Sequence, residues 1–355
     1  MRLLDFQKIL AVKGVDIAVF LNASYGKKDS SIAYFTGGLD VDLGLLAIPK
    51  NKSPKLFIPG FEYDMLRDKT NIEVVRPKEN LWDCLKEHFP RARVVGINAD
   101  VLSVNELKGL KKRFGTVRDI SNIVYDLRSV KNVEEIKNIE KSIEVTEGLF
   151  VEVLENMPFL KTEKGIADFL LKRTIDLGCE PAFPPIVASG KNASFPHHEP
   201  ESVLLKGFLV IDYGVKKNGY CADITRTFYV GNPTTKEKKL YALVLKSQEF
   251  AIQKCVSGNT FEEVDTTARG MLGKHSKEFI HSIGHSLGIE VHDDIPKRKK
   301  RAKMLLKENM IVTVEPGVYV KGNFGIRIED DVVVGIGSAR NLTKLSKELR
   351  VVRSK

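Results

Sequence analysis

The sequence predicts an α+β protein of two domains, and three observations carry that expectation. Residues 1–127 alternate short apolar strands with helix-like stretches, an α/β pattern. Near residue 128 the texture changes to long amphipathic helices. Beyond it, strands gather in two blocks, 203–230 and 310–335, apart from the helices. A chain of 355 residues also exceeds what one core ordinarily organises. The expected division is an N-terminal α/β domain over 1–128 and an α+β domain over 129–355.

In chain order, the N-terminal pattern predicts strands at Asp16–Leu21, Ser31–Phe35, Gly44–Ile48, Leu56–Ile58 and Arg93–Ile97. Helices are expected over Leu3–Val12, Asn80–His88 and Val104–Arg113. No glycine-rich phosphate loop and no GxGxxG follows any of these strands, so nucleotide binding has no support. Asn132 followed by Glu135 has capping-box spacing and opens a helix running to about Met157. A second helix spans Glu163 to Leu177, with Gly178 at its C′ position. Thr234 with Glu237 and Thr260 with Glu263 repeat the capping-box spacing and open two more.

Composition narrows the class. Charged residues at 29% and hydrophobic ones at 43% describe a soluble globular chain. The longest apolar runs, such as Leu43–Pro49, are far short of a membrane span, so no membrane partner is expected. Asp5 and Lys8 break the first apolar run, which argues against a secretory signal. Cys84, Cys179, Cys221 and Cys255 form no CxxC pair, which fits a reducing cytoplasm and disfavours a thiolate zinc site. The net charge of +10 is shared evenly between the two parts rather than gathered in a tail. The basic run Lys297–Arg301 reads as a solvated loop. Histidines are unevenly placed: of seven, only His88 precedes residue 129.

The segment Phe208–Phe228 is the most informative. Asn218-Gly219 between two β-rich runs is a strong hairpin signal. With those two residues as the turn, Asp212 faces Thr225 and Asp223 faces Gly214. The period of two then puts Asp212 and Asp223 diagonally on one face, with Gly214 leaving empty space between them. Two like charges on an apolar strand face are destabilising unless a cation sits there. Two separate solvated aspartates on the outer face of a hairpin remain the alternative.

Further on, His281, His285 and His292 crowd together with Gly284 and Gly288, and glycines permit close approach of backbone to a ligand. Glu315 ends the apolar run from Met310, and Glu329 sits inside Gly325-Ile-Arg-Ile-Glu329, where a carboxylate is costly unless paired or metal-bound. Arg327 shares the face of Glu329 and is placed to pair with it or with a neighbouring carboxylate. Asp212, Asp223, His285, Glu315 and Glu329 together offer more anions than one metal needs. Such a set suits two divalent ions, Mn²⁺ or Co²⁺ foremost, with Zn²⁺ also open through the histidine.

Asp212-x-Gly214, Asp223-Ile-Thr-Arg-Thr227, Gly284-His285, Val314-Glu315-Pro316-Gly317 and Gly325-Ile-Arg-Ile-Glu329 occur in the order and spacing of a known family. The chain resembles the pita-bread metallopeptidases, most closely the Xaa-Pro dipeptidases (prolidases) and aminopeptidases P. Ile32-Ala-Tyr-Phe-Thr-Gly37 is similar to a strand motif of that family's creatinase/prolidase N-terminal domain, and Asp126–Lys131 to its interdomain junction. The resemblance implies a C-terminal pita-bread α+β catalytic domain. It further implies that Asp212 and Asp223 bind one metal, His285 and Glu315 the other, and that Asp223 and Glu329 bridge.

Ser194-Phe-Pro-His197 is similar to the family's Ser-x-x-Pro-His loop, so His197 and His292 are implied to hold substrate, with His281 a weaker candidate and His198 a competing neighbour. Ser286 and Asp293 stand where the family usually has Gly and, in prolidases, Glu. The Asp is shared with aminopeptidase P-like members. Lys297 or Arg298 would take the place of the prolidase arginine that meets a dipeptide's terminal carboxylate. The expected activity is hydrolysis of the Xaa-Pro bond of dipeptides through a metal-bridging hydroxide, with His292 stabilising the oxyanion, Glu315 carrying the proton and Arg327 orienting a ligand. Removal of the N-terminal residue from longer Xaa-Pro peptides is the alternative. A methionine aminopeptidase, a metal-free creatinase-like member and a non-enzymatic binding protein fit less well, given the extra N-terminal domain and the full ligand set. The resemblance also implies a homodimer, and it makes anionic peptide termini, rather than nucleic acid, the expected partners of the positive charge.

Overall fold

The computed structural model describes residues 2–23, 28–78, 80–293 and 303–352. It divides into two units, Met1–Arg128 and Ser129–Lys355. In the first, strands β1 (Ile17–Asn22), β2 (Gly44–Pro49), β3 (Lys55–Phe57), β4 (Glu73–Val75), β5 (Val94–Ile97) and β6 (Thr116–Asp119) form one mixed sheet in the order β4-β3-β2-β1-β5-β6. Helices α1 (Arg2–Val12), α2 (Ser30–Thr36), α3 (Gly60–Leu66), α4 (Leu81–His88), α5 (Val104–Lys111) and α6 (Ser121–Ser129) complete the unit. Strand β1 is apolar at nearly every position because both faces of the sheet are covered. Ala18 and Phe20 join one core with Leu46 and Ile48, while Ile17, Val19 and Leu21 join a second with Leu45 and Ala47.

Ser31–Phe35 corrects the expectation of a strand, and with it the reading of Ile32–Gly37 as a strand motif. The segment is helix α2, because local capping decides it. The Asp29 carboxylate accepts the Ser31 N–H at 2.9 Å, and Gly37 closes the helix at φ +79°. Strands β4 and β6 and helices α3 and α6 are additions. Glu73–Val75 and Thr116–Asp119 are short edge strands with little buried apolar surface, so they leave little periodicity to detect.

In the second unit the predicted caps operate. Asn132 and Glu135 form a reciprocal capping box at the start of α7 (Val133–Asn156). Thr234 with Glu237 opens α9 (Thr235–Ile252), and Thr260 with Glu263 opens α10 (Phe261–Leu272), in the same way. Helix α8 (Glu163–Asp176) starts at Thr162 and ends before Gly178, whose φ is +66°.

The strands are β7 (Glu180–Pro181), β8 (Ile186–Ser189), β9 (Gly207–Tyr213), β10 (Val215–Lys217), β11 (Tyr220–Cys221), β12 (Ile224–Val230), β13 (Ile311–Val314), β14 (Gly317–Val320), β15 (Phe324–Arg327), β16 (Asp330–Val333), β17 (Arg340–Asn341) and β18 (Val351–Val352). They form sheets ordered β18-β12-β9-β8, β11-β10-β7, β13-β16-β17 and β14-β15. The basic run Lys297–Arg301, with Lys297 and Arg298 as carboxylate binders, lies outside the described residues.

Candidate active site

The hairpin register follows the turn. Asn218 and Gly219 sit at φ +52° and +78°, the paired positive values of a type I′ turn. Thr225 pairs with Asp212 and Lys216 with Cys221, as a two-residue turn at 218–219 requires. The expected gap at Gly214 is a correction: a Cβ there would lie 1.7 Å from the Ala222 carbonyl oxygen. The glycine is required because the two strands close on each other where the hairpin passes from one sheet to another.

Gly284 plays a comparable part beside His285, since a Cβ would lie 2.0 Å from the Thr313 carbonyl oxygen. That close approach allows the His285 N–H to donate to Thr313 Oγ1 at 3.0 Å, while Nδ1 donates to the Ser286 carbonyl at 3.2 Å. With Nδ1 engaged, Nε2 faces the carboxylates, 3.3 Å from Asp223 Oδ2 and 3.9 Å from Glu315 Oε1. Ligand atoms of Asp223, His285 and Glu329 lie within 4.8 Å of one another. Asp212, Asp223, His285, Glu315, Glu329, Arg327, His197, His198, His281 and His292 all line one cavity of about 670 Å³.

A network behind the carboxylates fixes them. Arg327 is buried, with Nη2 donating to Asp212 Oδ2 at 2.6 Å, Nε to Thr225 Oγ1 at 3.1 Å and Nη1 to Tyr319 Oη at 2.8 Å. Its carboxylate partner is therefore Asp212 rather than Glu329. Thr225 Oγ1 donates in turn to Glu329 Oε2 at 2.6 Å. Arg226, also buried, holds the Glu329 carbonyl at 2.6 Å and the Asp330 carboxylate at 2.7 Å. Asp331 accepts the Asp223 N–H at 3.1 Å.

Burial and the surrounding carboxylates push the Asp223 and Glu329 carboxyl groups well above their usual range. Burial and the Arg327 charge hold the His281 imidazole down at about 4, so it is neutral. His281 Nε2 meets Tyr319 Oη at 2.9 Å. The His292 ring stands edge-on to His285, with centroids 4.2 Å apart.

The donor set accommodates divalent ions. Asp212 Oδ1, Asp223 Oδ1 and Glu329 Oε1 are buried with no hydrogen-bond partner among the described residues. Carboxyl oxygens without donors beside an imidazole nitrogen are what a hard-to-intermediate cation requires, and such a cation would favour the ionised carboxylates that burial otherwise disfavours.

Thr225, Arg226 and Tyr319 carry this network although the sequence assigned none of them a site role; Thr225 and Arg226 lie inside the Asp223–Thr227 motif. Thr225 had one signal, its position directly opposite Asp212 in the hairpin. Asp293 forms a buried pair with Lys131 at 3.7 Å, so the acidic residue after His292 has a structural partner.

Such a fold and donor set define a metallopeptidase. The model of metallopeptidase family M24 matches residues 137–335, that of the creatinase/prolidase N-terminal domain matches residues 2–130, and the chain belongs to family M24. Among individual relatives, it is 32% identical to a Xaa-Pro dipeptidase of Pyrococcus furiosus, covering 91% of this chain and 93% of that one. Its fold matches an X-Pro aminopeptidase from Thermotoga maritima at a TM-score of 0.87 and 32% identity, over 96% of this chain and 98% of the other. A prolidase from Pyrococcus horikoshii also matches at 0.87, with 29% identity over 98% and 99% of the two chains.

Proposed function

We propose that this protein hydrolyses the Xaa-Pro bond of dipeptides. The observation that carries the reading is the cluster of four carboxylates and His285 in one cavity, with three buried oxygens left without donors among the described residues. Asp212 and Asp223 would hold one ion, His285 and Glu315 a second, with Asp223 and Glu329 shared. Mn²⁺ and Co²⁺ suit this oxygen-rich set best, and Zn²⁺ suits the imidazole. When bound, the ions supply Lewis acidity and a more acidic water.

The remaining chemistry belongs to the chain. Glu315 has its carboxylate in the cavity, where it takes the proton of the attacking water and returns it to the proline nitrogen. His292 donates to the oxyanion that develops on the scissile carbonyl. His197, exposed on the cavity wall, contacts the peptide. Arg327 orients Asp212, and the neutral His281 is set by Tyr319. Phe183, Pro184, Pro185 and Val291 give the cavity an apolar side for the proline ring. An Xaa-Pro amide has no N–H, so recognition rests on the ring and the peptide termini rather than on that bond.

In this reading 1–128 is the N-terminal domain and 129–355 the catalytic one, a division that the separate family matches over 2–130 and 137–335 support. Likeness to this family supports a homodimer, and the cysteine pattern supports a cytoplasmic setting. No described helix is long and apolar enough to cross a membrane. Asp293 favours one second reading, an aminopeptidase P that removes the residue before proline from longer peptides. Comparing kcat/KM for Xaa-Pro dipeptides and Xaa-Pro tripeptides with added Mn²⁺ separates the two. Preference for dipeptides is expected; cleavage of tripeptides alone replaces this reading with the second.

A further inference from the structure

Glu163 opens α8 with a fully buried side chain, and none of the chemistry above uses it. Its oxygens accept five hydrogen bonds: Ser189 N at 2.7 Å, Asn192 Nδ2 at 3.2 Å to each oxygen, His198 Nε2 at 2.9 Å and Glu201 N at 3.1 Å. None of these donors belongs to α8, whose own start is capped by Thr162 Oγ1 accepting Gly165 N at 3.0 Å. The carboxylate therefore serves the segment 189–201 rather than its helix. Lys164 N donates back to the Glu201 carbonyl at 3.0 Å and closes the clamp.

That segment forms a wall of the cavity through Pro196, His197 and His198. It is gripped from the other side as well. Arg327 Nη1 donates to the Pro196 carbonyl at 3.2 Å, and Gly322 N donates to Ser194 Oγ at 3.1 Å. The same guanidinium that orients Asp212 thus holds the residue before His197. His198 commits Nε2 to Glu163, whereas His197 is exposed in the cavity. A buried carboxylate saturated by N–H donors is a rigid hub, because releasing any donor leaves polar groups unpaired away from water.

We propose that Glu163 is a positioning residue for the reaction, fixing the segment 189–201 so that His197 meets the peptide. The inference rests on reading the cavity as a peptide-cleaving site. The test compares Glu163→Gln, His197→Ala and the double variant in Mn²⁺-dependent release of proline. Each single variant is expected to lower kcat/KM by roughly ten- to a hundredfold, the scale of an ångström's misplacement. In the His197→Ala background, Glu163→Gln should cost less than about threefold, because both act through one contact. Mn²⁺ affinity should stay at the wild-type level.

Hydrogen exchange supplies a readout independent of activity: the Ser189 and Glu201 amides should exchange faster in Glu163→Gln, with those of β9 and β12 unchanged. Multiplicative losses in the double variant, unaltered exchange at 189 and 201, or lost Mn²⁺ affinity would each overturn the proposal. If Glu163→Gln does not fold, Asn192→Ala takes its place, since it removes one donor from the same carboxylate and does not line the cavity. Wild-type protein that releases no proline refutes the peptidase reading, and the exchange data still decide whether Glu163 is the hub.

Discussion

Thr225→Val isolates one link of the network behind the metal-binding cluster. Thr225 is fully buried, and its hydroxyl donates to Glu329 at 2.6 Å while accepting from Arg327 at 3.1 Å. Valine keeps the branched shape and the packing, so the change removes chemistry without opening a cavity. A hydrogen bond to a charged group contributes about 1.5–3 kcal/mol. With a factor of ten for about 1.4 kcal/mol, losing the bond to Glu329 corresponds to roughly 10- to 150-fold weaker ion binding. That range overlaps the 10–100-fold typical of residues that orient metal ligands. Calorimetric titration of Mn²⁺ into metal-free wild type and variant measures it, with circular dichroism to confirm that both are folded. Affinity within about twofold of wild type, in a folded variant, would refute the role given to Thr225.

Tyr319→Phe should leave an Arg327 N–H and a His281 nitrogen without their shared partner, lowering kcat about tenfold while Mn²⁺ affinity holds. Steady-state kinetics and calorimetry together check this. Gly214→Ala places a methyl 1.7 Å from the Ala222 carbonyl oxygen, and urea unfolding of the metal-free protein should show a loss of about 3 kcal/mol.

In the N-terminal unit, the bonds from Lys50, Val94 and Arg93 hold the Asp16 carboxyl down at about 2. Its folded value lies below its unfolded one, so its stabilisation is present above about pH 4 and fades as pH falls through 2. Asp16→Asn should therefore cost about 1–2 kcal/mol at neutral pH, with a shrinking difference in chemical denaturation as pH falls from 4 toward 2.

Long periodic elements and caps were legible because their signals are local. Asn132, Thr234 and Thr260 each form the capping box that the Glu three residues later implies. The hairpin register was legible because two residues, Asn218 and Gly219, determine it. Helix α2 was misread because Ser-Ser-Ile-Ala-Tyr-Phe is short and apolar in either conformation, and the deciding group, Asp29, lies just outside the run.

The candidate ligands could be named one by one, but their meeting depends on contacts between distant segments. Arg327 reaches Asp212 across 115 positions, and Thr225 reaches Glu329 across 104. Neither pairing has a trace in the intervening sequence, and the same holds for the Glu163 hub, whose partners lie 26 to 38 residues away. Gly214 shows the limit at close range: its place opposite Asp223 was readable, but the carbonyl that fills the space was not.

The most direct test of the central claim is titration of metal-free protein with Mn²⁺ while proline release from an Xaa-Pro dipeptide is followed. No release is expected without metal, followed by a rise to a plateau at about two ions per chain, and no activity in Asp223→Ala. Full activity in the metal-free protein, or in Asp223→Ala, contradicts the claim.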